Sequence, residues 1–206
     1  LLEQAAKQAI DQGELAGSYH AMFRRLVLAT AWQESCWRQF VRKGNKIRPL
    51  VSSADSVGIM QVTPKVWRGF YSAPDLRNDI QYNARAGSEI LLHYLVDYAL
   101  KKEEHKATGN AENLVRATYA MYNGGPGHMQ RYRRTGTSEA LRRIDAAFWD
   151  KYRTVKSGDE LAVIACYVRS PSRALPEVRR PTTEKKADTA TPPVTARPER
   201  PSPGKA

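Results

Sequence analysis

The chain has 206 residues, 41% of them hydrophobic, and a formal net charge of +12. This length allows one sizeable hydrophobic core, and two cysteines are too few for a disulfide scaffold. The longest apolar stretch, residues 26–32, is far shorter than the ~20 residues of a membrane-spanning helix. The positive charge favours anionic partners, namely the cell wall, lipid head groups or nucleic acid, and does not choose among them.

Apolar periodicity predicts mostly helices in the first half of the chain. A short amphipathic helix covers residues 1–12 and ends at Gly13, and a second helix begins near Ser18 as its N-cap. Residues 38–57 are expected to be mostly loop. Thr63 and Pro64 then read as an N-cap and a first helical residue, which predicts a short helix through residue 70.

The second half continues the helical pattern. A long helix is predicted over residues 79–104, where Ala84 and Gly87 on the apolar stripe would let another helix approach closely. Residues 124–127 are expected to form a turn. The remaining predicted helices cover residues 111–122, about 128–134, 138–153 and 158–169. We therefore expect an all-α, compact helical single domain over residues 1–170.

Residues 171–206 differ in composition from the rest of the chain. They hold eight of the twelve prolines and eight Lys or Arg residues, with little apolar bulk. Such a segment cannot bury enough surface to offset its ordering entropy, so we expect a disordered basic tail. Its simplest role is a linker or solvated extension, and docking to an envelope or secretion-machinery partner is the alternative.

Glu34 is the carboxylate that the helical pattern singles out. At 100° per residue it shares a face with Phe23, Val27 and Thr30, so it is expected to be largely withdrawn from water. Desolvation raises the pKa of a carboxyl group and can keep it protonated near neutral pH as a general acid. The alternative is that Glu34 merely ends the helix and points outward beside Arg38, its i+4 neighbour.

Two further motifs favour the first interpretation. The first, residues 58–64, runs from Gly58 through Met60 and Gln61 to Pro64 and follows a Ser-rich loop. The second, residues 119–127, runs from Tyr119 through Tyr122 and Asn123 to Gly127 and covers the end of a predicted helix and the following turn. Each is weak alone, but together with Glu34-Ser35, and in this order, they resemble the soluble lytic transglycosylase family over residues 19–132. The resemblance implies a lysozyme-like fold of the α+β lysozyme superfamily and cleavage of peptidoglycan.

The resemblance also implies roles for matching residues. Glu34 would be the single catalytic acid and base, and Met60 and Gln61 would line the saccharide cleft. Tyr122 would hydrogen-bond near the carboxyl, and Asn123 would brace the cleft wall. The implied saccharide contact upstream of Gly58 is Ser52, whose spacing fits better than that of Ser53. Asp55 stands where the family usually has a small residue, so a second carboxylate near the cleft is an open alternative.

The implied reaction cleaves the MurNAc-GlcNAc β-1,4 bond and leaves 1,6-anhydro-MurNAc ends, without a metal or organic cofactor. A hydrolysing muramidase in which Asp55 places a water is the second enzyme interpretation. A non-catalytic cell-wall-binding module is the third. The Arg-rich stretch at 131–134 is more typical of a solvated helix face than of a nucleic-acid site, so no nucleic-acid partner is predicted.

The cellular compartment, the oligomeric state and the state of the two cysteines are predicted less directly from the sequence. The chain begins at Leu1 rather than Met, so its natural start is expected to lie upstream. A peptidoglycan enzyme is expected in the periplasm, at the cell envelope or outside the cell, and a monomer is the simplest state. Cys36 and Cys166 could be plain thiols or a single bridge, because sequence separation does not show geometry.

Overall fold

The computed structural model describes residues 1–168, which form a helical domain with one small β-hairpin. The predicted tail, 171–206, lies outside the described residues. In chain order, the elements are α1 (Leu2–Gln12), α2 (His20–Ser35), β1 (Phe40–Lys43), β2 (Lys46–Pro49), α3 (Ala73–Asn78), α4 (Ile80–His93), α5 (Glu104–Thr108), α6 (Asn113–Gly124), α7 (Glu139–Lys156) and α8 (Ala165–Val168). The all-α prediction is confirmed in its main feature.

Helix α2 runs through the centre of the domain. It packs against α1, α4, α6 and α7, and every residue from Leu26 to Ser35 is buried except Gln33, which is half-buried. The sequence pattern predicted burial of one face only. Neighbouring helices cover α2 on nearly all sides, so its last two turns are buried on nearly every face, polar residues such as Thr30, Glu34 and Ser35 included.

Several predicted helix boundaries are corrected. Residues 17–19 form a 3-10 turn, and Tyr19 precedes α2, so Ser18 is not its N-cap. The predicted helix over residues 79–104 is instead α4 followed by a π-helical segment, Tyr94–Leu100. Asp79 caps α4 by accepting hydrogen bonds from the backbone N–H groups of Gln81 and Tyr82, at 2.8 and 3.0 Å.

The prediction of a loop over residues 38–57 missed a β-hairpin. Strands β1 and β2 pair antiparallel, with Val41 opposite Arg48 and Lys43 opposite Lys46. The two-residue connection is Gly44-Asn45, and Gly44 has a φ of +61°. Gly-Asn between two short runs is a recognised hairpin signal, because the first turn position needs a positive φ.

Two other predicted helices are turns. Residues 64–70 form turns, and the Thr63 hydroxyl pairs with the Ser56 hydroxyl at 2.7 Å. The helix predicted near 128–134 is instead two 3-10 turns, Pro126–His128 and Arg131–Arg133. The helix predicted over residues 158–169 consists of a 3-10 segment, Glu160–Ile164, followed by α8.

The two cysteines form a disulfide. Cys36 caps the C-terminus of α2, and Cys166 lies in α8, with their Cα atoms 6.1 Å apart. Beside the bridge, the Tyr167 hydroxyl donates to the carbonyl of Cys36 at 2.5 Å. The alternative of two plain thiols is thus excluded in this structure, and the end of the Glu34 helix is tied to the last described helix.

Candidate active site

The Glu34 side chain lies in the last turn of α2 and is buried, with 7% of its surface exposed. The hydroxyl of Tyr119, in α6, donates a hydrogen bond to Oε1 of Glu34 at 3.1 Å. This geometry confirms the predicted burial and excludes the alternative in which Glu34 points into solvent beside Arg38. The carboxyl is therefore held by a neutral donor inside the domain.

Tyr119 is the main site residue that sequence reasoning missed. It is fully buried, and its ring stacks on Phe148 of α7, with centroids 3.8 Å apart and planes 7° from parallel. Burial, with the neighbouring Glu34 carboxyl, raises the pKa of Tyr119 well above its ordinary value. The hydroxyl therefore stays protonated and remains a donor. Its position three residues before Tyr122, on one helical face, was the available signal.

The Gly58–Gln61 motif forms a turn that is tied to the end of α2. The Ser35 hydroxyl donates to the carbonyl of Ile59 at 2.6 Å, and the Ile59 N–H donates to Oε1 of Gln39 at 2.8 Å. The Met60 N–H donates to Oδ1 of Asn83, in α4, at 2.9 Å. These bonds hold the turn in one place relative to Glu34, so the Glu-Ser pair and the second motif form one unit.

Gly58 must be glycine for two reasons. Its φ is +76°, and a Cβ there would collide with the side-chain amides of Asn83 and Gln39. Both amides bind the same turn, because Asn83 Nδ2 also donates to the carbonyl of Val57 at 2.9 Å. The close approach of backbone to amide is what leaves no room for a side chain.

The side chains of Met60 and Gln61 are buried within the turn. The Met60 side chain is fully buried and packs against Gly87, where a Cβ would overlap it. Gln61 is buried with a φ of +50°, and its Nε2 donates to the carbonyl of Gly58 at 2.8 Å. The prediction that Gly87 lets another helix approach is corrected, since the space beside Gly87 receives the Met60 side chain. The predicted role of Met60 and Gln61 in lining the saccharide cleft remains a prediction.

Tyr122 links α6 to the same turn. Its hydroxyl donates to the carbonyl of Met60 at 2.6 Å, so it fixes the turn that faces Glu34. The predicted role of Tyr122 as a hydrogen-bonding residue near the carboxyl remains a prediction. Tyr119 and Tyr122, one helical turn apart, thus hold the carboxyl and the turn respectively.

Asn123 joins a buried ionic network. Its Oδ1 accepts from Nη1 of Arg131 at 3.0 Å. Arg131 forms two further hydrogen bonds to the carboxylate of Asp145, in α7, at 2.6 and 3.1 Å, and all three side chains are buried. Gly124 leaves room for this arrangement, since a Cβ there would crowd the ring of His128. The bracing role expected of Asn123 remains a prediction that this geometry supports.

The Ser-rich loop lies at the surface. Ser52 is half-buried, and its hydroxyl accepts from the Ser56 N–H at 3.1 Å, whereas Ser53 is exposed. Asp55 is exposed with a φ of +59°, and its N–H donates to the carbonyl of Ser52 at 3.1 Å. Within residues 1–168, the Asp55 carboxylate takes part in none of the hydrogen bonds or ion pairs described. Asp55 therefore closes a turn in this loop.

Glu89 is a further carboxylate, and it is bound by a tyrosine and faces an arginine. Glu89, in α4, accepts a hydrogen bond from the Tyr71 hydroxyl at 2.9 Å, and Arg85 lies 3.7 Å from its other oxygen. Burial, then the neighbouring Glu89, raises the pKa of Tyr71, and Tyr122 adds to the same rise. Tyr71 is therefore within electrostatic reach of Tyr122. Neither Tyr71 nor Glu89 was predicted from the sequence as a site residue.

Among the described residues, we find no group of three or more His, Cys, Asp or Glu side chains arranged to hold a metal ion. Within the same residues, no helix combines the length and the apolar character that crossing a membrane requires.

A mainly helical domain whose central helix ends in a buried glutamate, facing a turn clamped by α4 and α6, has the form of a lysozyme-like domain. A family model described as "Transglycosylase SLT domain" matches residues 14–143. The chain belongs to this family. Searches of curated proteins and of solved structures found no match. The family acts on peptidoglycan, which implies peptidoglycan as the substrate class and a place outside the cytoplasm.

Proposed function

We propose that this protein is a peptidoglycan lytic transglycosylase that cleaves the MurNAc-GlcNAc β-1,4 bond and leaves 1,6-anhydro-MurNAc ends. The observation that carries the proposal is the buried Glu34 carboxyl, which Tyr119 holds by a hydrogen bond at 3.1 Å. Family membership supports the substrate class. The proposal adds the bond, the product and the residue responsible.

The first half of the reaction needs an acid. Glu34 donates its proton to the glycosidic oxygen, the C1–O bond breaks, and the substrate's N-acetyl group stabilises the positive charge that develops at C1. Burial favours the protonated form of a carboxyl before this step. Tyr119, protonated at all relevant pH values, orients the carboxyl through Oε1 and stabilises the carboxylate that the proton transfer leaves behind.

The second half needs a base, and the same group provides it. The Glu34 carboxylate removes the proton from the C6 hydroxyl of the muramic acid residue, and the C6 oxygen bonds to C1 and closes the anhydro ring. The proton balance returns Glu34 to its starting state, and no water is consumed. Because the attack is intramolecular, proximity replaces the second carboxylate that would otherwise position a water or act as a nucleophile.

The second candidate is a hydrolysing muramidase on the same fold. Asp55 and Glu89 are the carboxylates to be tested in this role. Asp55 is exposed and closes a turn, and Glu89 is bound by Tyr71, so neither arrangement favours a water-activating base. A non-catalytic wall-binding module is the third candidate, and the buried Glu34–Tyr119 pair disfavours it, since pure binding does not require a desolvated acid.

We also propose a periplasmic or envelope location and a monomeric state, with a role for the tail as a linker or as a docking segment for an envelope partner. Mass analysis of muropeptides released from purified peptidoglycan tests the central proposal. Anhydro products, lighter by one water than reducing-end products, are expected, and they should vanish with Glu34→Gln. Removal of a general acid lowers rates by ~10²–10⁴-fold, and here the base is lost as well. Reducing-end products would contradict the proposed transglycosylase reaction. Substantial activity in Glu34→Gln would contradict the assignment of Glu34 as the catalytic residue.

A further inference from the structure

The β-hairpin presents a cationic face that the proposed chemistry does not use. Residues paired directly across an antiparallel sheet lie on the same face, and the face alternates along each strand. The pairs Val41–Arg48 and Lys43–Lys46 therefore share one face. Three cations, Lys43, Lys46 and Arg48, are exposed on it. No acidic residue occurs in the sequence from residue 35 to residue 54.

These three cations lack acidic partners within the domain. Lys43, Lys46 and Arg48 appear in none of the ion pairs formed within residues 1–168. Lys43 and Lys46 are direct cross-strand neighbours, and like charges in that position destabilise a sheet. An anionic ligand lying across this face would relieve the repulsion, and the Arg48 guanidinium matches a carboxylate in geometry.

The base of the hairpin is held rigidly beside the candidate active site. Gln39, just before β1, accepts from the Ile59 N–H and donates from Nε2 to the carbonyl of Leu76 at 3.0 Å. Leu50, just after β2, accepts from the Gly58 N–H at 2.9 Å. Both ends of the hairpin thus connect to the turn that faces Glu34, so a ligand on the hairpin lies next to the glycan cleft.

We infer that this cationic face, Lys43, Lys46 and Arg48, binds the carboxylate-bearing stem peptides of the peptidoglycan strand whose glycan occupies the Glu34 cleft. The inference rests on the proposed function for the identity of the polymer. Lys43 is four residues beyond Gln39, which places it ~13 Å from the hairpin base at ~3.3 Å per strand residue. An extended peptide of about four residues spans a similar distance, so a stem leaving the cleft can follow the hairpin to its tip.

An anionic bilayer is the competing occupant, because Phe40 and Ile47 are exposed apolar residues of the same hairpin, with 76% of Ile47 accessible. The register places these two, with the exposed Arg42 that pairs with Ile47, on the face opposite the three cations. A bilayer surface takes apolar side chains and cations from one side of an element, and the opposite face has that mixture. The face of Lys43, Lys46 and Arg48 exposes no large apolar side chain, which favours an extended anionic peptide over a membrane as its occupant.

The test compares two triple variants of the full chain, each with the same loss of charge. The hairpin variant carries Lys43→Gln, Lys46→Gln and Arg48→Gln, and the matched control carries Arg24→Gln, Lys101→Gln and Lys102→Gln, which are also exposed and lie outside the ion pairs described. Both are made in the Glu34→Gln background so that substrate is not consumed. Sedimentation measures binding to stem-bearing peptidoglycan, to glycan strands stripped of stems by an amidase, and to vesicles of phosphatidylglycerol and phosphatidylcholine.

Only the hairpin variant should bind stem-bearing peptidoglycan more weakly, by about three- to tenfold at low salt for the loss of exposed charge contacts. The difference should disappear on stripped strands and at ~1 M salt, where the Debye length is about 3 Å. Equal binding by the two variants would overturn the inference, as would a loss that persists on stripped strands or occurs only on vesicles. Binding in the Glu34→Gln background does not depend on cleavage, so these measurements test the stem-peptide inference. The product analysis tests the proposed reaction separately.

Discussion

Tyr119 donates a hydrogen bond to Glu34 across 85 positions of sequence, and it does so from within the packed interface between α6 and α7. Stacking on Phe148 fixes the ring, and burial keeps the hydroxyl protonated. The position of the Glu34 carboxyl is therefore determined by helix packing as much as by α2 itself. This relationship makes α7 part of the support of the site, because Phe148 of α7 stacks on Tyr119.

We expect Tyr119→Phe to fold and to lose most of its activity. The substitution removes one hydrogen bond to a group that becomes charged in the reaction, a contribution of about 1.5–3 kcal/mol, or roughly ten- to a hundredfold in rate if it is realised fully in the transition state. The measurement is the initial rate of muropeptide release, with thermal unfolding as the control for folding.

Tyr122→Phe is the matched comparison, because it removes a hydroxyl one turn away that binds the Met60 carbonyl. A smaller loss of rate is expected, since only a positioning contact disappears. Wild-type activity in Tyr119→Phe would show that the hydrogen bond from Tyr119 to Glu34 has no part in catalysis.

The pH profile of Tyr119→Phe should shift in a defined direction. A hydrogen bond donated to a carboxylate favours the ionised form, so its removal raises the carboxyl pKa. The alkaline limb, where Glu34 loses the proton that it must donate, should move to higher pH. Tyr119 itself does not titrate in this range, because its pKa is raised well above the ordinary value. A shift to lower pH in rate-against-pH measurements would contradict this assignment.

Asp55→Ala should leave the rate and the product nearly unchanged. The Asp55 carboxylate is exposed, and its backbone closes a turn with Ser52. Because its φ is +59°, replacement by alanine adds modest backbone strain, and Asp55→Gly serves as the strain-free control. Mass analysis of released muropeptides is the measurement. If wild type forms reducing-end products and both Asp55→Ala and Asp55→Gly lose them, the protein is a hydrolysing muramidase that depends on Asp55.

Asp145→Asn should destabilise the domain substantially. It leaves the buried Arg131 guanidinium without its counter-charge, and removal of one partner from a buried pair is typically worth about 3–5 kcal/mol. At roughly 2–4 °C per kcal/mol for a domain of this size, the melting temperature should fall by about 6 °C or more. Circular dichroism melting gives the value.

Glu139→Gln on the same helix is the control for Asp145→Asn. Glu139 pairs with Arg143 at the surface, where both side chains are mostly exposed, and exposed pairs contribute at most about 1 kcal/mol. The two variants remove the same charge from α7. If the two variants lowered the melting temperature equally, the buried Arg131–Asp145 pair would contribute no more to stability than an exposed pair.

Replacement of both cysteines by alanine should lower the free energy of unfolding. The bridge joins residues 130 positions apart, and the chain-entropy model assigns such a long loop about 4–5 kcal/mol as an upper figure. Chemical denaturation of wild type and variant measures the difference, and intact-mass analysis after thiol alkylation confirms the bridge. Two alkylated cysteines without prior reduction would mean that the thiols are free in solution.

The sequence alone determined the helical character, the central place of Glu34 and the three motifs. These features are local, because an apolar period of 3.6 residues and a Gly-rich turn depend on neighbours along the chain. The β-hairpin also depends on a local signal, and it could have been predicted from the Gly44-Asn45 pair between two short strands. The disordered tail remains a prediction from composition, and the saccharide contact of Ser52, or of the less well spaced Ser53, remains a prediction from the family resemblance.

Only the tertiary structure decided which side chains meet. Tyr119 donates a hydrogen bond to Glu34 because α6 packs against α2, and the relative orientation of two packed helices is not contained in a local sequence pattern. Packing also turned Met60 inward against Gly87 and joined Cys36 to Cys166. Each of these depends on contacts between residues far apart in the chain, where steric fit and burial, rather than local propensity, select the arrangement.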